Sequence, residues 1–423
     1  MTKENLQETN SNFYNFVIIG AGPAGLTSGI IAAKLGLKAI IIERGERAGP
    51  KPRGEGMSYY PLIDEILGNQ FLQSICHRKT PGGQVFHSPG DLKKVKITKS
   101  PGFFFEWRDF IDRFVEIIKD LEVEILLNSE VIEPIVKNDI CVGVKFKSKS
   151  GEIKEIYGNI ILDCSGHVGV IGKFYNISYE NVINCPIIKC LVSNGNIDIE
   201  KTPCLQFYFI GNGDLDYSPE FPQSVAYVFP IGGTKMEVGL MLRMTHAREM
   251  KTVKIPSDDE IMKVWRKLKE SYPGFSEFFK GAKIDYEELT AISNSKMVEN
   301  IVPVPGVVLI GESAGFVDPF GSSGLYFSMA MAKFWVNMLS KKLKIISGGT
   351  TDVSNHNNEL WSTENVREYR EKFEDFEIYK EIKNSYNLIG AFEYKIFRRL
   401  RTAEKINNKW DWISSMLIQA AGK

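Results

Sequence analysis

The sequence predicts an α/β fold (α+β overall) in which a parallel-sheet domain is interrupted by an antiparallel sheet and followed by a helical C-terminal region. Three observations lead to this prediction. A glycine motif joins an apolar strand to a helix near the N-terminus, alternating strand patterns fill residues from about 170 to 290, and helical spacing dominates the C-terminal end. A strand, a glycine turn and a helix in that order are typical of a Rossmann-like domain.

The length of the chain, 423 residues, allows a large core and more than one domain. Shifts in the sequence pattern predict four parts. They are a disordered tail at residues 1–14, a discontinuous Rossmann-like domain at 15–170 and 290–345, an inserted sheet domain at 171–289, and a helical C-terminal region at 346–423.

Composition excludes several classes of protein. Hydrophobic residues make up 43% and charged residues 25% of the chain, which is ordinary for a globular protein. Lys and Arg number 52, as do Asp and Glu, so no net charge attracts a nucleic acid. No apolar run approaches the roughly 18 residues of a spanning helix, and the polar start lacks the apolar stretch of a signal peptide. The protein is therefore expected in the cytoplasm, without a nucleic-acid partner.

The cysteines and histidines indicate neither a disulfide framework nor a metal site. Six cysteines are scattered without CxxC spacing, and the five histidines form no HExxH motif. We therefore expect reduced thiols, as in a cytoplasm, and no bound metal.

The stretch FVIIGAGPAG is the most informative part of the sequence. After a short apolar strand, a GxGxxG motif begins a helix rich in small residues. Gly20 permits the tight turn, Gly22 lets the backbone approach a pyrophosphate, and Gly25 lets the helix pack closely on the strand. The helix N-terminus, which includes Pro23 and Ala24, offers unpaired N–H groups to the phosphates. A dinucleotide site is favoured over a plain glycine-rich turn.

A carboxylate follows at the end of the next predicted strand. Glu43 comes directly after the segment AIII, where a carboxylate can accept both hydroxyls of an adenosine ribose. This position disfavours a 2′-phosphate, although the neighbouring Arg44 keeps that alternative open. Both residues are candidate ligands of the nucleotide.

A second glycine-rich segment, GESAGFVDPFGSSGLYFSMA, precedes an apolar helix near the end of the Rossmann-like part. It joins Glu312 to a Gly-Ser-Ser-Gly turn, and Ser323, Gly324 and Leu325 stand where the helix begins. Serine caps a helix and glycine allows close backbone approach, so the segment suits a small ligand. An ordinary helix cap is the competing interpretation.

Taken together, these motifs resemble those of a known flavoprotein group. In chain order they are GAGPAG, the strand-end Glu43, WRDFID, DCSG and GESAGFVDPFGSSG. From about residue 15 to 345 the chain is similar to flavoproteins with the para-hydroxybenzoate hydroxylase fold. Within that group it resembles the geranylgeranyl reductase-related branch, whose neighbours include flavin-dependent halogenases. The resemblance implies an oxidoreductase with FAD as its cofactor.

The resemblance also implies roles for single residues near the flavin. Glu312 corresponds to the acid that hydrogen-bonds the ribityl chain of FAD, although the family usually has Asp there. Ser323, Gly324 and Leu325 correspond to the start of a helix whose amides face flavin N1 and O2. A helix N-terminus stabilises the negative charge that the reduced ring carries at that edge.

Two contacts at the adenosine and pyrophosphate end follow from the resemblance alone. Arg108 matches an arginine that reaches the pyrophosphate or the ribityl chain, and a surface ion pair with Asp112 is the alternative. Val131 lies where the family holds adenine with backbone atoms.

The candidate catalytic residues, Arg53 and Tyr227, come from two segments that resemble cavity-lining segments of the family. The segment PKPRGEGMS resembles a loop of archaeal geranylgeranyl reductases, with Arg53 replacing a cysteine near the flavin and Gly54 as a cofactor contact. The segment SVAYVFPIGG resembles (Y/F)xWxFP, with Val225 and Tyr227 in place of its two aromatics. The glycines and prolines of residues 49–60 predict an ordered loop or a mobile lid, and an exposed Arg53 on such a lid is the alternative.

Three functions remain open on the sequence. The first is reduction of a carbon–carbon double bond of an isoprenoid or other apolar substrate by hydride from flavin N5. The second is a monooxygenase or halogenase, for which Lys79 is a candidate lysine and a generic surface lysine is the alternative. The third is a non-catalytic prenyl-binding chaperone of the same fold, against which the retained Glu43 and residues 311–324 count.

The expected partners follow from these functions. The substrate is expected to be an apolar small molecule or a lipid. Because the chain has a single GxGxxG motif, NAD(P)H or another electron donor is expected to bind transiently. The basic, aromatic stretch FEYKIFRRLR (392–401) predicts either a peripheral contact with a membrane surface or a solvated helix face packed on the body.

Overall fold

The structure is a computed structural model. It describes residues 13–50, 52–80, 84–88, 91–97, 102–176, 185–196, 205–210, 224–242, 256–292, 297–319, 323–348, 357–387 and 403–421. Most of the predicted N-terminal tail and the whole basic, aromatic stretch at 392–401 lie outside these residues.

The strands form three sheets. In chain order they are β1 (Phe13–Ile19), β2 (Ala39–Ile42), β3 (Gly54–Ser58), β4 (Arg78–Thr80), β5 (Gln84–Ser88), β6 (Asp91–Ile97), β7 (Gly102–Glu106), β8 (Glu124–Leu126), β9 (Glu130–Lys137), β10 (Ile140–Lys147), β11 (Ile153–Asp163), β12 (Cys185–Ser193), β13 (Leu205–Ile210), β14 (Ser224–Gly232), β15 (Lys235–Leu242), β16 (Lys283–Ile292) and β17 (Val307–Leu309).

The helices cover the sheets and form the C-terminal region. They are α1 (Pro23–Lys34), α2 (Pro61–Leu67), α3 (Phe71–Ile75), α4 (Trp107–Asp120), α5 (Val170–Phe174), α6 (Asp258–Ser271), α7 (Leu325–Ile346), α8 (Asn357–Leu360), α9 (Thr363–Glu374), α10 (Ala403–Asn408) and α11 (Trp410–Ala421). Residues 377–387 are helical as well.

The first sheet has the Rossmann-like arrangement. Its order is β8-β2-β1-β11-β10-β9, and β17 also pairs with β11. The strands β8, β2, β1, β11 and β17 are parallel, whereas β10 and β9 form an antiparallel extension. Phe16, Val17 and Ile18 of β1 are fully buried, as expected for a parallel strand covered on both faces. The predicted Rossmann-like domain is confirmed.

The second sheet is the inserted antiparallel sheet, in the order β16-β12-β15-β14-β13-β5-β6. All its pairs are antiparallel except that of β13 with β5. Side chains alternate between its two faces, and one face packs against α6 through buried residues such as Ile188, Val238 and Trp265. Since β5 and β6 precede residue 171, this sheet also draws on the segment that lies before the predicted insertion.

A third sheet, β3-β7-β4, corrects one expectation. Residues 49–60 were expected to form only a loop or lid, but Gly54–Ser58 is a strand paired with the apolar β7. A Cβ added at Gly56 would lie 2.6 Å from the ring of Phe104. The glycine therefore leaves room for an aromatic ring against the strand. The glycine content of the segment alone did not suggest a strand.

The C-terminal helices pack against the first sheet. The indole of Trp361 donates a hydrogen bond to the carbonyl of Asn159 on β11 at 2.8 Å, and the side chain of Asn159 donates to Asn357 at 2.7 Å. Tyr369 and Phe373 of α9 are buried in the same core. Within the part of the chain that the structure describes, no helix has both the length and the apolarity needed to cross a membrane.

Candidate functional site

Three strands of the first sheet end at one edge, and a glycine-containing turn follows each. The last pairs in register join Ile19 of β1 to Asp163 of β11, and Asp163 to Leu309 of β17. Because these strands are parallel, their carboxyl ends meet at the same edge, where ligands bind in open α/β sheets. The turns that begin at Gly20 and Gly311 are therefore neighbours, although they come from opposite ends of the chain.

The N-terminal glycine turn leaves an opening at the start of α1. Gly20 has a φ of +97°, and a Cβ at Gly25 would lie 1.9 Å from the carbonyl oxygen of Gly20, so both positions require glycine. A Cβ at Gly22, in contrast, would meet no atom within 4 Å. Gly22 is the N-cap of α1, and Pro23 and Ala24 follow as its first residues without a side-chain cap. This open helix N-terminus fits a pyrophosphate.

Glu43 is buried beside this turn and braces it. Its Oε2 accepts a hydrogen bond from the backbone N–H of Ala21 at 2.8 Å, and its Oε1 accepts one from the N–H of Gly45 at 2.7 Å. Each carboxylate oxygen has a second lone pair, so the two bonds leave acceptors for ribose hydroxyls. The bracing role was not foreseen from the sequence. Arg44 is exposed.

The turn after β11 is organised by the buried carboxylate of Asp163. This carboxylate accepts hydrogen bonds from the N–H and hydroxyl of Ser165 and from the backbone N–H groups of Ile171 and Gly172. Burial raises the pKa of Asp163, and these hydrogen bonds oppose the rise. A Cβ at Gly166 would lie 3.6 Å from Oε2 of Glu312, so the Glu312 carboxylate lies beside this turn.

Helix α7 begins close to Glu312. Its N-cap is Gly324, which provides no side-chain cap to the first amides, and Leu325 is its first residue. The carbonyl of Ser323 accepts a hydrogen bond from the N–H of Asp318 at 3.0 Å. With glycine as the N-cap, this helix start differs from the ordinary serine cap that was the alternative, and it fits an anionic ligand.

Arg108 has partners within the protein. Its guanidinium donates hydrogen bonds to the carbonyls of Ala48 at 2.9 Å and Gly49 at 3.1 Å, and pairs with Asp112 at 2.8 Å. The ion pair with Asp112, which was the alternative to a cofactor contact, is therefore present. The bonds to Ala48 and Gly49 also hold the loop that contains these two residues. The expected contact of Arg108 with FAD stays a prediction, as does the backbone contact at Val131, whose side chain is buried on β9.

Arg53 lies in a partly enclosed site. Its guanidinium stacks on the indole of Trp107, 3.9 Å from the ring centroid, and pairs with Glu55 at 3.5 Å. Only 21% of its side chain is exposed. The neighbouring Gly54 donates its N–H to Oε2 of Glu237 on β15. This bond fixes the segment that carries Arg53 to the second sheet, so the arginine is not on a free lid.

The face of the second sheet opposite α6 is turned towards Arg53, and we call it the inner face. Its members alternate with the residues that contact α6, and they are Ile187, Lys189, Phe207, Val225, Tyr227, Phe229, Glu237, Gly239 and Met241. Tyr227 lies across Gly239, since a Cβ there would be 2.4 Å from the phenol oxygen. The face is therefore apolar with a few ionisable groups among its members.

Sequence reasoning missed two of these groups, Lys189 and Glu237. Glu237 is 1% exposed, and the hydroxyl of Tyr227 donates to its Oε1 at 3.4 Å. Burial raises the pKa of Glu237 to about 7, and the positive charges of Lys189 and Arg53 oppose the rise. The available signal was a charged residue inside each of two apolar strands, CPIIKCLVS and KMEVGLML.

Comparison with known proteins agrees with this geometry. Residues 15–180 match a family model described as FAD dependent oxidoreductase. The chain is similar to digeranylgeranylglycerophospholipid reductase from Picrophilus torridus, with 23% identity over 339 residues and 78% of each chain covered. It is also similar to digeranylgeranylglycerophospholipid reductase 2 from Methanopyrus kandleri, with 24% identity over 342 residues, 76% of this chain and 75% of the relative.

Solved structures share the fold. A geranylgeranyl bacteriochlorophyll reductase-like protein from Thermoplasma acidophilum has a TM-score of 0.69 at 18% identity, covering 97% of this chain and 99% of that one. A flavin-dependent brominase has a TM-score of 0.60 at 18% identity, covering 95% and 100%. The sequence-based expectations of an FAD cofactor, of an enzyme and of a likeness to geranylgeranyl reductases are confirmed. The chaperone alternative is not supported.

Gly22→Val is expected to abolish FAD retention and leave the protein folded. The side chain would enter the open space where we expect the pyrophosphate, and the local backbone, at φ −85° and ψ −176°, tolerates valine. FAD absorbance per protein and thermal melting measure the two effects. Gly25→Ala is the contrasting variant, because its Cβ would clash with the Gly20 carbonyl and destabilise the fold. Normal FAD content in Gly22→Val would contradict the assignment.

Glu43→Ala is expected to weaken FAD binding and to loosen the glycine turn. The variant loses two proposed charge-assisted hydrogen bonds to the ribose, each worth roughly 1.5–3 kcal/mol, and two observed bonds to Ala21 and Gly45. Fluorescence titration of the apoprotein with FAD measures the first effect, and melting of the apoprotein measures the second. A lower melting temperature with unchanged FAD affinity would leave Glu43 only its bracing role.

Proposed function

Because the chain is an FAD-dependent oxidoreductase related to geranylgeranyl reductases, we propose that it reduces a carbon–carbon double bond of an isoprenoid or another apolar substrate. Bound FAD would supply the hydride from N5 of its reduced ring. The chain itself would hold the cofactor at the edge of the first sheet and the substrate on the inner face of the second. The relatives named as lipid reductases support this choice of reaction.

The observation that carries the proposal is the apolar character of the inner face. Ile187, Val225, Tyr227 and Met241 form one buried cluster there, with Phe229 packed against it. An apolar surface beside a cofactor site, with a small number of polar groups, is what an apolar substrate needs for binding and orientation. Aromatic and aliphatic side chains of this kind would exclude water from the reacting double bond.

We propose the following cofactor contacts. The turn from Gly20 to Gly25 would cradle the pyrophosphate, Glu43 would hold the adenosine ribose, and Glu312 the ribityl chain. The first amides of α7 would face the anionic edge of the reduced ring. Three of these contacts are supported by the open position at Gly22, the remaining lone pairs of Glu43 and the start of α7 without a side-chain cap. The fourth is supported by the position of the Glu312 carboxylate beside Gly166.

Tyr227 and Arg53 would lie closest to the reaction. Tyr227 is buried across Gly239 on the inner face, with its hydroxyl directed at Glu237 and at the carbonyl of Ile188, so its ring can pack against an apolar chain. Burial raises the pKa of Tyr227 well above its ordinary value, and the charge of Glu237 adds to this effect. The phenol therefore stays protonated, and Arg53 provides a permanent positive charge beside it.

A monooxygenase or halogenase is the second candidate. Its support is the shared fold with a flavin-dependent brominase. Lys79, the lysine considered for a halogenase, is exposed on β4 near the ring of Phe103, 5.3 Å from the centroid. This location favours the generic surface lysine.

Transient NAD(P)H or another donor, and a peripheral membrane contact, remain parts of the proposal.

Reoxidation of the reduced enzyme distinguishes the two candidates. The purified enzyme is reduced anaerobically, then mixed with an isoprenoid alkene or with oxygen, while flavin absorbance is followed. We expect the alkene to reoxidise the flavin with stoichiometric formation of the saturated product. Reoxidation by oxygen alone, with an oxygenated or halogenated product, would overturn the reductase proposal in favour of the second candidate.

Arg53→Cys is expected to alter flavin reduction or substrate preference with little loss of stability. The side chain of Arg53 contacts Glu55 and the indole of Trp107, whereas the bond from the N–H of Trp107 uses only the Arg53 carbonyl and is kept in the variant. Flavin reduction rates and steady-state kinetics on several substrates measure the effect. The control is Arg113→Cys, since Arg113 pairs with Glu116 on the exposed side of α4. If both variants match the wild type, Arg53 is outside the active site.

A further inference from the structure

Glu237 is the most deeply buried of the carboxylates on and beside the inner face, with 1% of the residue exposed. Its Oε2 accepts a hydrogen bond from the backbone N–H of Gly54 at 2.5 Å, and its Oε1 lies 3.4 Å from the hydroxyl oxygen of Tyr227. Because a backbone N–H only donates, Oε2 has to act as an acceptor. A proton that Glu237 holds is therefore placed on Oε1, next to the Tyr227 hydroxyl.

Carboxylates outnumber cations around Glu237. Arg53 pairs with Glu55 at 3.5 Å, and Lys189 lies opposite Glu288 on the adjacent strand β16. Two cations therefore share this region with three carboxylates. Keeping a negative charge away from water costs several kcal/mol when no opposite charge compensates it, so one of the three is expected to keep its proton. Burial selects Glu237, since the charged form of the most buried acid is the least favourable.

The pKa values of Glu237 and Tyr227 support the same distribution of protons. Burial raises the pKa of Glu237 to about 7, and the positive charges of Lys189 and Arg53 oppose the rise. Burial also raises the pKa of Tyr227 well above its ordinary value, and the charge of Glu237 adds to this effect. At neutral pH the phenol is thus protonated, whereas the carboxyl exchanges its proton readily. The two groups have the properties of a proton donor joined to a proton store.

We propose that Glu237 stores the proton that the reaction consumes and delivers it to the substrate through the hydroxyl of Tyr227. The inference rests on the proposed function, since saturation of a carbon–carbon double bond requires a hydride at one carbon and a proton at the other. Tyr227 belongs to the buried cluster of Ile187, Val225 and Met241, the surface on which the substrate would lie. An apolar surface of this kind excludes water, so the proton has to come from a side chain.

The transfer keeps atoms and electrons in balance. One new C–H bond forms with the electron pair of the hydride from reduced FAD, and the other forms from the π electrons of the substrate and the proton of the Tyr227 hydroxyl. The phenolate oxygen then takes the proton from Oε1 of Glu237, and the Glu237 carboxylate regains a proton from solvent before the next turnover. The substrate is reduced, FAD is oxidised, and both side chains return to their starting charge.

The inference predicts a pH dependence with a definite sign. Glu237 is protonated below its pKa, so reoxidation of the reduced flavin by an alkene is fast below about pH 7 and slows as pH rises through that value. The charged and titratable groups that surround Glu237 are Arg53, Glu55, Lys189, Tyr227, Tyr286 and Glu288. The thiol of Cys190 lies on the opposite face of β12.

Glu237→Gln tests the proposal directly, because glutamine keeps an acceptor for the N–H of Gly54 and lacks the proton. The reduced holoenzyme is mixed anaerobically with farnesol, and flavin absorbance is followed from low to high pH. We expect reoxidation at least about 100-fold slower than in the wild type, as for the loss of a general acid, and no further fall in rate through about pH 7. FAD content and thermal melting check the fold. A wild-type rate and pH profile in this variant would overturn the proposal.

Two further variants separate a relay from a structural effect. Tyr227→Phe should slow the same step, and the double variant should be no slower than the slower single variant, because both residues act on one proton. Additive slowing would contradict the relay. Glu287→Gln is the matched control, since Glu287 contacts Trp265 and Lys269 on the opposite face of the same sheet, and equal slowing there would overturn the proposal. If Glu237→Gln does not fold, Tyr227→Phe and the wild-type pH profile decide.

Infrared difference spectra of the oxidised holoenzyme detect the stored proton without turnover. We expect the carbonyl band of a protonated carboxylic acid that disappears as pH rises through about 7, shifts in D2O and is absent from Glu237→Gln. If farnesol does not reoxidise the reduced flavin although this band is present, the proposed reaction and the relay are rejected, and the stored proton is retained. If farnesol reoxidises the flavin and the band is absent, the role of Glu237 is rejected and the proposed reaction stands.

Discussion

The arrangement of the site depends on one buried residue, Asp163, at the end of β11. Its main chain pairs with Ile19 of β1 and Leu309 of β17, and its carbonyl accepts hydrogen bonds from the N–H of Ile310 and the hydroxyl of Ser313. Its carboxylate holds the turn that follows. This single position therefore brings the glycine turn of the N-terminal segment and the Glu312 segment to the same sheet edge, which is where a dinucleotide-length cofactor needs them.

A second buried carboxylate, that of Glu237, joins the segment with Arg53 to the second sheet. Glu237 accepts the N–H of Gly54, and a Cβ at Gly54 would lie 2.1 Å from Ile231 and 2.9 Å from Cβ of Glu237. The close approach thus requires glycine on one side and a buried acceptor on the other, since an unpaired buried N–H costs about 1–3 kcal/mol. This contact fixes the start of β3, next to Arg53, against the second sheet.

The sequence was most informative where function depends on consecutive residues. The GxGxxG turn and Glu43 could be found because spacing along the chain determines their geometry, as could the Rossmann-like and antiparallel sheets. Lys189 could not be found in this way, since its environment depends on the pairing of β12 with β15 and β16. Trp361 lies in a stretch that looks like a polar linker, but its indole reaches the carbonyl of Asn159 in the first core.

The ionisable groups on and beside the inner face have different structural partners. Glu237 satisfies a buried backbone N–H, and Arg53 is neutralised by Glu55 and stacked on Trp107. Lys189 lies opposite Glu288 on β16, and the charges of Glu237, Glu55 and Glu312 also favour its protonated form. Its environment therefore depends on carboxylates from several strands that are distant from it in the chain.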